Sequence, residues 1–273
     1  MRARSVAFAL VSWLLSTTAL AVEDPSGSAA PRVLDRSGDE DAPKQAQRWK
    51  VELKRQDTDR GTDGESSKTT VRLEAYPRGG SLAMLRLDLP FPDDRTDFVG
   101  SPFNPRLGDI KVRANTRTVE AGGLPLSARL ELTFPTANPE TLGQGKYQIA
   151  PGIETSLRLA SFNIGSTTHK VSFSPLIQQV VSVAGDESRK DINYTKVELA
   201  LRDAWRDYSV KLTVKPVIDW EQGGQTGAVT ELEGRVGFSR SWYAALMLGH
   251  RTWGGSVPST YGTRAELTLG RTF

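Results

Sequence analysis

The sequence predicts an all-β chain folded as an antiparallel up-and-down transmembrane β-barrel of about twelve strands. Three observations carry this: segments that alternate with a period of two, connections that alternate between short and long, and a last strand that stops on an aromatic residue. Val197, Leu199 and Leu201 interleave with Lys196, Glu198, Ala200 and Arg202. Tyr208, Val210, Leu212 and Val214 interleave with Ser209, Lys211, Thr213 and Lys215, and Ala265, Leu267 and Leu269 with Arg264, Glu266 and Thr268. Successive side chains of a strand point to opposite sides, so each segment has one apolar and one polar face.

The segments run at about 47–56, 68–77, 81–90, 108–118, 123–134, 146–160, 168–183, 191–203, 207–219, 227–238, 242–251 and 262–273. Their number is even, as in bacterial single-chain barrels. Short connections at 78–80, 119–122, 204–206 and 239–241 alternate with longer ones at 57–67, 91–107, 135–145, 220–226 and 252–261. In the middle of the chain the alternation lapses, because 161–167 and 184–190 are equally long. Tight turns on one side of a membrane and long loops on the other produce this pattern, whereas a soluble sandwich has no reason for it.

Proline tests the scheme. Pro151 and Pro216 fall near strand ends, but Pro175 falls mid-strand, where it removes a ladder donor and predicts a bulge or an opening in the wall.

Residues 1–21 read as a secretory signal peptide: Arg2 and Arg4, an apolar core from Val6 to Leu15, and Ala19-Leu20-Ala21 as a small-x-small cleavage site. Residues 22–46 are rich in Ser, Gly, Pro, Ala and Asp and are expected to form a flexible periplasmic tail. The barrel is then 47–273. Without Arg2 and Arg4, the 35 Lys+Arg become 33 against 32 Asp+Glu, so charge supplies no argument for nucleic acid. The chain has no cysteine, which excludes thiol catalysis, disulfides and zinc–thiolate sites. No later stretch approaches the ~20 consecutive apolar residues of a membrane helix. Alternating strands conceal their membrane affinity from such a count.

The apolar face is Leu, Val, Ile and Ala, with Trp49, Phe134, Tyr208, Trp242 and Phe273 near strand ends, as interfacial girdles require. The other face is expected to line the lumen. It carries Arg72 and Glu74, Arg86 and Asp88, Lys111 and Arg113, and Arg129 and Glu131. Lys196, Glu198, Glu231, Glu233 and Arg235 continue it, with Lys50, Glu52, Glu154, Arg158, Lys211, Arg264 and Glu266. Such groups either pair into a lattice that fills the barrel or line a water-filled path, because a lone buried ion is costly. Leu267, Leu269 and the terminal Phe273 resemble the recognition signal of outer-membrane barrels for their assembly machinery.

The stretch 106–113 and the stretch 130–152 carry a second resemblance. Gly108-Asp109 opens a strand, Phe134-Pro135-Thr136 ends one, and Gly143-Gln144-Gly145 follows in a Gly-rich loop. This pattern resembles outer-membrane proteins of the phenol-degradation meta-pathway type, and Ala137 stands where that pattern has glycine. The resemblance implies a barrel that passes small, often hydrophobic or aromatic compounds. Read by themselves, the same residues are turn formers.

An enzyme is not expected. Of two histidines, His250 has Ser256 and Ser259 in the following loop, the one arrangement that suggests an outer-membrane lipid hydrolase, and no motif sets their offset. Glu231/Glu233 and Asp93-Asp94 lack metal-ligand spacing, and no cofactor is inferred. The expected function is a passive channel or facilitator for small molecules in the bacterial outer membrane, with lipid and the assembly machinery as partners and the solute open. The alternative is a closed structural or adhesive barrel acting through external loops such as 91–107.

Overall fold

The computed structural model describes residues 48–94, 103–255 and 257–273. The expected signal peptide and tail, Ser256, and the middle of the loop at 91–107 lie outside the described residues.

Among the described residues fourteen strand segments follow one another: β1 (Arg48–Thr58), β2 (Ser66–Tyr76), β3 (Leu82–Pro92), β4 (Ile110–Thr116), β5 (Val119–Ala121), β6 (Leu124–Phe134) and β7 (Lys146–Thr155). Then come β8 (Leu157–Ile164), β9 (Thr167–Gly185), β10 (Asn193–Trp205), β11 (Tyr208–Asp219), β12 (Gln225–Gly237), β13 (Trp242–Gly254) and β14 (Thr263–Thr272). Two of these extend others. β5 makes a short hairpin with β6, and β8 continues β7 along β9. Each remaining strand pairs antiparallel with its neighbours in sequence. β1 pairs β14 from Lys50↔Thr272 to Thr58↔Arg264, so the sheet closes into a twelve-stranded barrel with no free edge at its seam. Most of its strands, 10 to 13 residues long, suit a tilted membrane crossing, which needs about 9–11.

The start of β1 and Phe273 share one end with the tight turns, here the turn end. The opposite, loop end carries the longer connections, including one 3₁₀ turn at Glu140–Leu142. The turn between β5 and β6 shows the local chemistry: Gly122 and Gly123 both have positive φ, +59° and +78°, the backbone a two-residue hairpin demands.

The outer face exposes Leu53, Leu85, Leu130, Ile177, Leu199, Leu212, Leu232, Leu246 and Leu267. That belt is far larger than the isolated apolar patches a soluble monomer shows in water. A row of rings borders it at the turn end. Phe162 stacks on His169 (5.3 Å between centroids), His169 on Trp205 (5.1 Å) and Trp205 on Tyr208 (6.1 Å). Trp242, Phe273 and Trp49 continue that border, with Arg271 over the first two rings. At the loop end Phe134 meets Tyr147 edge-on at 6.3 Å. Apolar belt and aromatic borders together are what a bilayer requires of a barrel.

Two expectations are corrected. The 161–167 loop is a hairpin: β8 runs to Ile164, turns at Gly165-Ser166 and returns as the 19-residue β9. The alternation of short and long connections therefore has no lapse. Nor is Pro175 a bulge. β9 passes through it in register with Leu199 of β10, and the irregularity lies on its other side, where the partner strand breaks at Ser156 between β7 and β8. A proline has no N–H for that side of the ladder. The nearby register shifts are at Tyr147/Gln148 and Arg158/Ala160. Around Pro151 the β7–β9 register passes from Ile149 to Gly152, and the buried Gln178 side chain donates Nε2–H to the Ala150 carbonyl at 3.0 Å.

Candidate functional site: the charged interior

Strand alternation puts the charged residues expected to line the lumen on one face, and strand register then decides their partners. Across β1, β2 and β3, Glu52 stands opposite Arg72 and Arg72 opposite Asp88. Arg72 grips Asp88 with two bonds, Nε to Oδ1 at 2.7 Å and Nη2 to Oδ2 at 3.0 Å, and reaches Glu52 at 3.4 Å. Lys50 bridges Glu74 (2.6 Å) and Glu52 (3.0 Å). Arg86 joins Asp88 (3.3 Å) to Glu131 (3.4 Å), Arg113 bonds Glu131 directly, and Lys111 lies 4.0 Å from the same carboxylate. Arg129 closes on Glu154 of β7 at 2.5 Å, and Asn115 donates to that carboxylate as well. Ion pairs thus run from β1 to β6 in one network, and Arg129, Asn115 and Glu154 form a second group that ties β4 and β6 to β7.

The facing wall is built differently. On β10, β11 and β12 the contacts are single and mostly from lysine: Lys196–Glu198 at 3.1 Å, Lys211–Glu233 at 3.2 Å and Lys215–Glu231 at 2.5 Å. Arg235 lies 3.7 Å above the Tyr243 ring. Between these charges the inner face carries small side chains, Ser172, Ser174, Ser209 and Thr213.

The two walls face each other across a cavity of ≈ 260 Å³ lined by Lys50, Glu52, Lys54, Arg72, Arg202, Ser209, Lys211, Glu233, Arg235, Tyr243, Ala245 and Thr268. In the strand order β2 and β10 are six steps apart in a ring of twelve, so Arg72 and Arg202 sit on opposite sides of the lumen. Six cations and two carboxylates line this space.

Lys54 and the inward tyrosines Tyr243 and Tyr261 escaped the sequence reading, and Arg202 was placed on a polar face but not at this cavity. Tyr243 donates to Glu52, and Tyr261 donates to Glu231 at 2.6 Å. The available signal was glycine on the charged face. Gly270 stands opposite Tyr243 and Gly249 lies under Tyr261, and a Cβ at either would collide with the ring.

The residues of the loop resemblance come together at the loop end. Thr136 donates its hydroxyl to the Gly108 carbonyl at 2.9 Å and accepts the Ile110 amide at 3.0 Å. Asp109 accepts the Gln144 amide at 2.7 Å and the Ala137 amide at 3.3 Å. They form a clamp that joins the entry of β4 to the loop after β6. The groups weighed for an enzyme separate instead. Ser259 Oγ meets the Tyr194 hydroxyl at 3.1 Å, while His250, in register with Thr263, is on the outward face of β13. Glu231 and Glu233 belong to ion pairs with Lys215 and Lys211, and Asp93 is held by Arg55 at 2.5 Å. Among the described residues no cluster of metal-binding side chains occurs.

The class these features define is the transmembrane β-barrel of the outer-membrane type, closed, with an apolar exterior and a charged interior. No protein-family model matches the chain, and no curated protein sequence does. Solved structures do share its fold. It is similar to the COG4313 outer membrane channel from Pseudomonas putida F1, with a TM-score of 0.60 at 15 % identity over 88 % of this chain and 100 % of that one. It is also similar to the NanC porin, with a TM-score of 0.51 at 7 % identity over 82 % of this chain and 98 % of that one.

Proposed function

We propose that this protein is a passive outer-membrane channel for small solutes whose lumen favours anions. The observation that carries the reading is the cavity between the two walls, where Lys50, Lys54, Arg72, Arg202, Lys211 and Arg235 stand with Glu52 and Glu233, and where Glu74, Glu266 and Asp88 pair Lys50, Lys54 and Arg72 from beside it, leaving six cations to five carboxylates. A narrow space of low surrounding dielectric focuses that excess of positive charge, attracting anions and repelling cations. Both similar structures are described as a channel or a porin, which agrees with a conducting role. The resemblance to the phenol-degradation type adds the expectation of hydrophobic or aromatic compounds, and small aromatic acids meet both conditions.

The chain would reach the outer membrane through the signal peptide at 1–21, and Leu267, Leu269 and Phe273 would present it to the assembly machinery. The turn end then faces the periplasm. In the barrel, Phe273 and Trp49 exchange main-chain hydrogen bonds (2.8 and 3.4 Å), so the terminal residue is also the last stitch of the seam.

The test is single-channel recording of refolded protein in a planar bilayer under a potassium chloride gradient. Discrete steps with a reversal potential of anion-preferring sign are expected. Silence from protein with the heat-shifted gel mobility of a folded barrel would overturn the channel reading and leave the structural or adhesive one.

A further inference from the structure

Two valines break the polar inner face close to the loop end. Val217 on β11 and Val229 on β12 point inward with Lys215 and Glu231, yet they are 1 % and 0 % exposed. An apolar side chain facing a hydrated lumen gains from its position only if something covers it.

Beside them lies the segment from Val257 to Tyr261, in the connection between β13 and β14, which packs on Gly227 of β12. Val257, itself buried, seats on Gly227, where an added Cβ would stand 2.9 Å from its Cγ2, and Gly227 is the register partner of Val217. Tyr261 anchors the other end of the segment, sandwiched between Gly249 and the Arg264 guanidinium 3.7 Å from its ring and bonded to Glu231. Between these anchors, Ser259 holds a positive φ of 66°, unusual for a residue with a Cβ, and its hydroxyl meets that of Tyr194. Tyr194 begins β10, so this one bond reaches past the ends of β11, β12 and β13.

We propose that Val257–Tyr261 is a constriction segment that sets the size limit of the lumen at its loop end, seated on Gly227 beside Val217 and Val229 and tied to the far side of the mouth by Tyr194–Ser259. The inference rests on the channel reading and deepens it: this segment selects by size, and the cations below it select by charge. Tyr261 is the fixed end, with three independent contacts. The Ser259 end is tied by one neutral hydrogen bond to Tyr194 and by the packing of Val257 and Thr260 on Gly227, without the charge-bearing contacts of Tyr261, so it is the end that releases.

The chain has no cysteine, so Tyr194→Cys with Ser259→Cys introduces the sole pair. In planar bilayers the oxidised pair is expected to hold the smallest conductance level, with larger levels returning on reduction. Tyr194→Phe keeps the ring and removes the tie. Its larger level should be populated about five-fold more often, the worth of one neutral hydrogen bond, and the largest neutral polymer that enters the lumen should increase in size. If the pair does not oxidise, Val257→Asp places a carboxylate on Gly227 beside the valines and should expel the segment with the same increase. Unchanged conductance and polymer cut-off in conducting Tyr194→Phe and Val257→Asp would overturn the constriction and leave the channel reading standing. Silence of the folded wild type and every variant would overturn the channel reading, and the constriction with it.

Discussion

The two walls of the lumen differ in how they hold their charge. From β1 to β7, arginines lie opposite carboxylates in register, and Asp88 and Glu131 each take two or more cations, with the side chains of Arg86, Asp88 and Glu131 at most 12 % exposed. From β10 to β12, lysines make single contacts, and Lys211 and Glu233 stay 36 % and 28 % exposed. A planar guanidinium forks onto a carboxylate and is fixed there, whereas an ammonium on a flexible stem exchanges partners cheaply. One wall is therefore held rigid, and in the proposed channel the other would keep charge available to a solute.

The largest expected effect tests the rigid wall. Asp88→Ala leaves Arg72 and Arg86 without their shared partner in a poorly hydrated lattice and should destabilise the barrel by about 3–5 kcal/mol. Urea unfolding followed by tryptophan fluorescence in lipid vesicles would read this, and a change below about 1 kcal/mol would make the lattice no more than a set of surface ion pairs.

On the opposite wall the outcome should be reversed. Lys211→Ala is expected to cost no more than about 1 kcal/mol, yet to move the reversal potential toward cation preference, most strongly when combined with Arg202→Glu and Lys54→Glu. Equal stability losses from Asp88→Ala and Lys211→Ala would erase the distinction between the walls.

Ionic strength separates them by another route. Selectivity from the exposed lysines should fade as salt rises from 0.1 M to 1 M and the Debye length shrinks from about 10 to about 3 Å. The unfolding midpoint should change little, because the arginine lattice is shielded from that screening. A midpoint that fell in parallel with selectivity would contradict this.

The smallest effect concerns Arg235, whose guanidinium stacks on Tyr243. Arg235→Lys keeps the charge and loses the stack, with an expected cost of about 0.5–1 kcal/mol and no change of selectivity.

Much of this was legible in the chain. The alternation at 196–202 and 208–215 located both faces of β10 and β11, because a period of two leaves no other assignment once one face is apolar. Strand bounds came close for the same reason. Two places misread the order: 161–167 looked like a loop because its Gly165-Ser166 turn is so short, and Pro175 looked like a bulge although only the β7–β8 side of the ladder yields. Tyr243 and Tyr261 escaped notice, since an aromatic on a strand says nothing of what stands across the sheet. Even so, Gly249 and Gly270 on charged faces marked where two rings would lie.

By itself, then, the sequence determined the barrel class, the strand order and which side chains face inward, because these follow from local periodicity and from connection length. Only the tertiary structure decided the rest: that Arg72 meets Asp88, that Arg202 lies across from Arg72, and that Val257 to Tyr261 turn into the mouth. Those relations depend on closure and register between strands far apart in the chain, and no local pattern encodes the distance across a lumen.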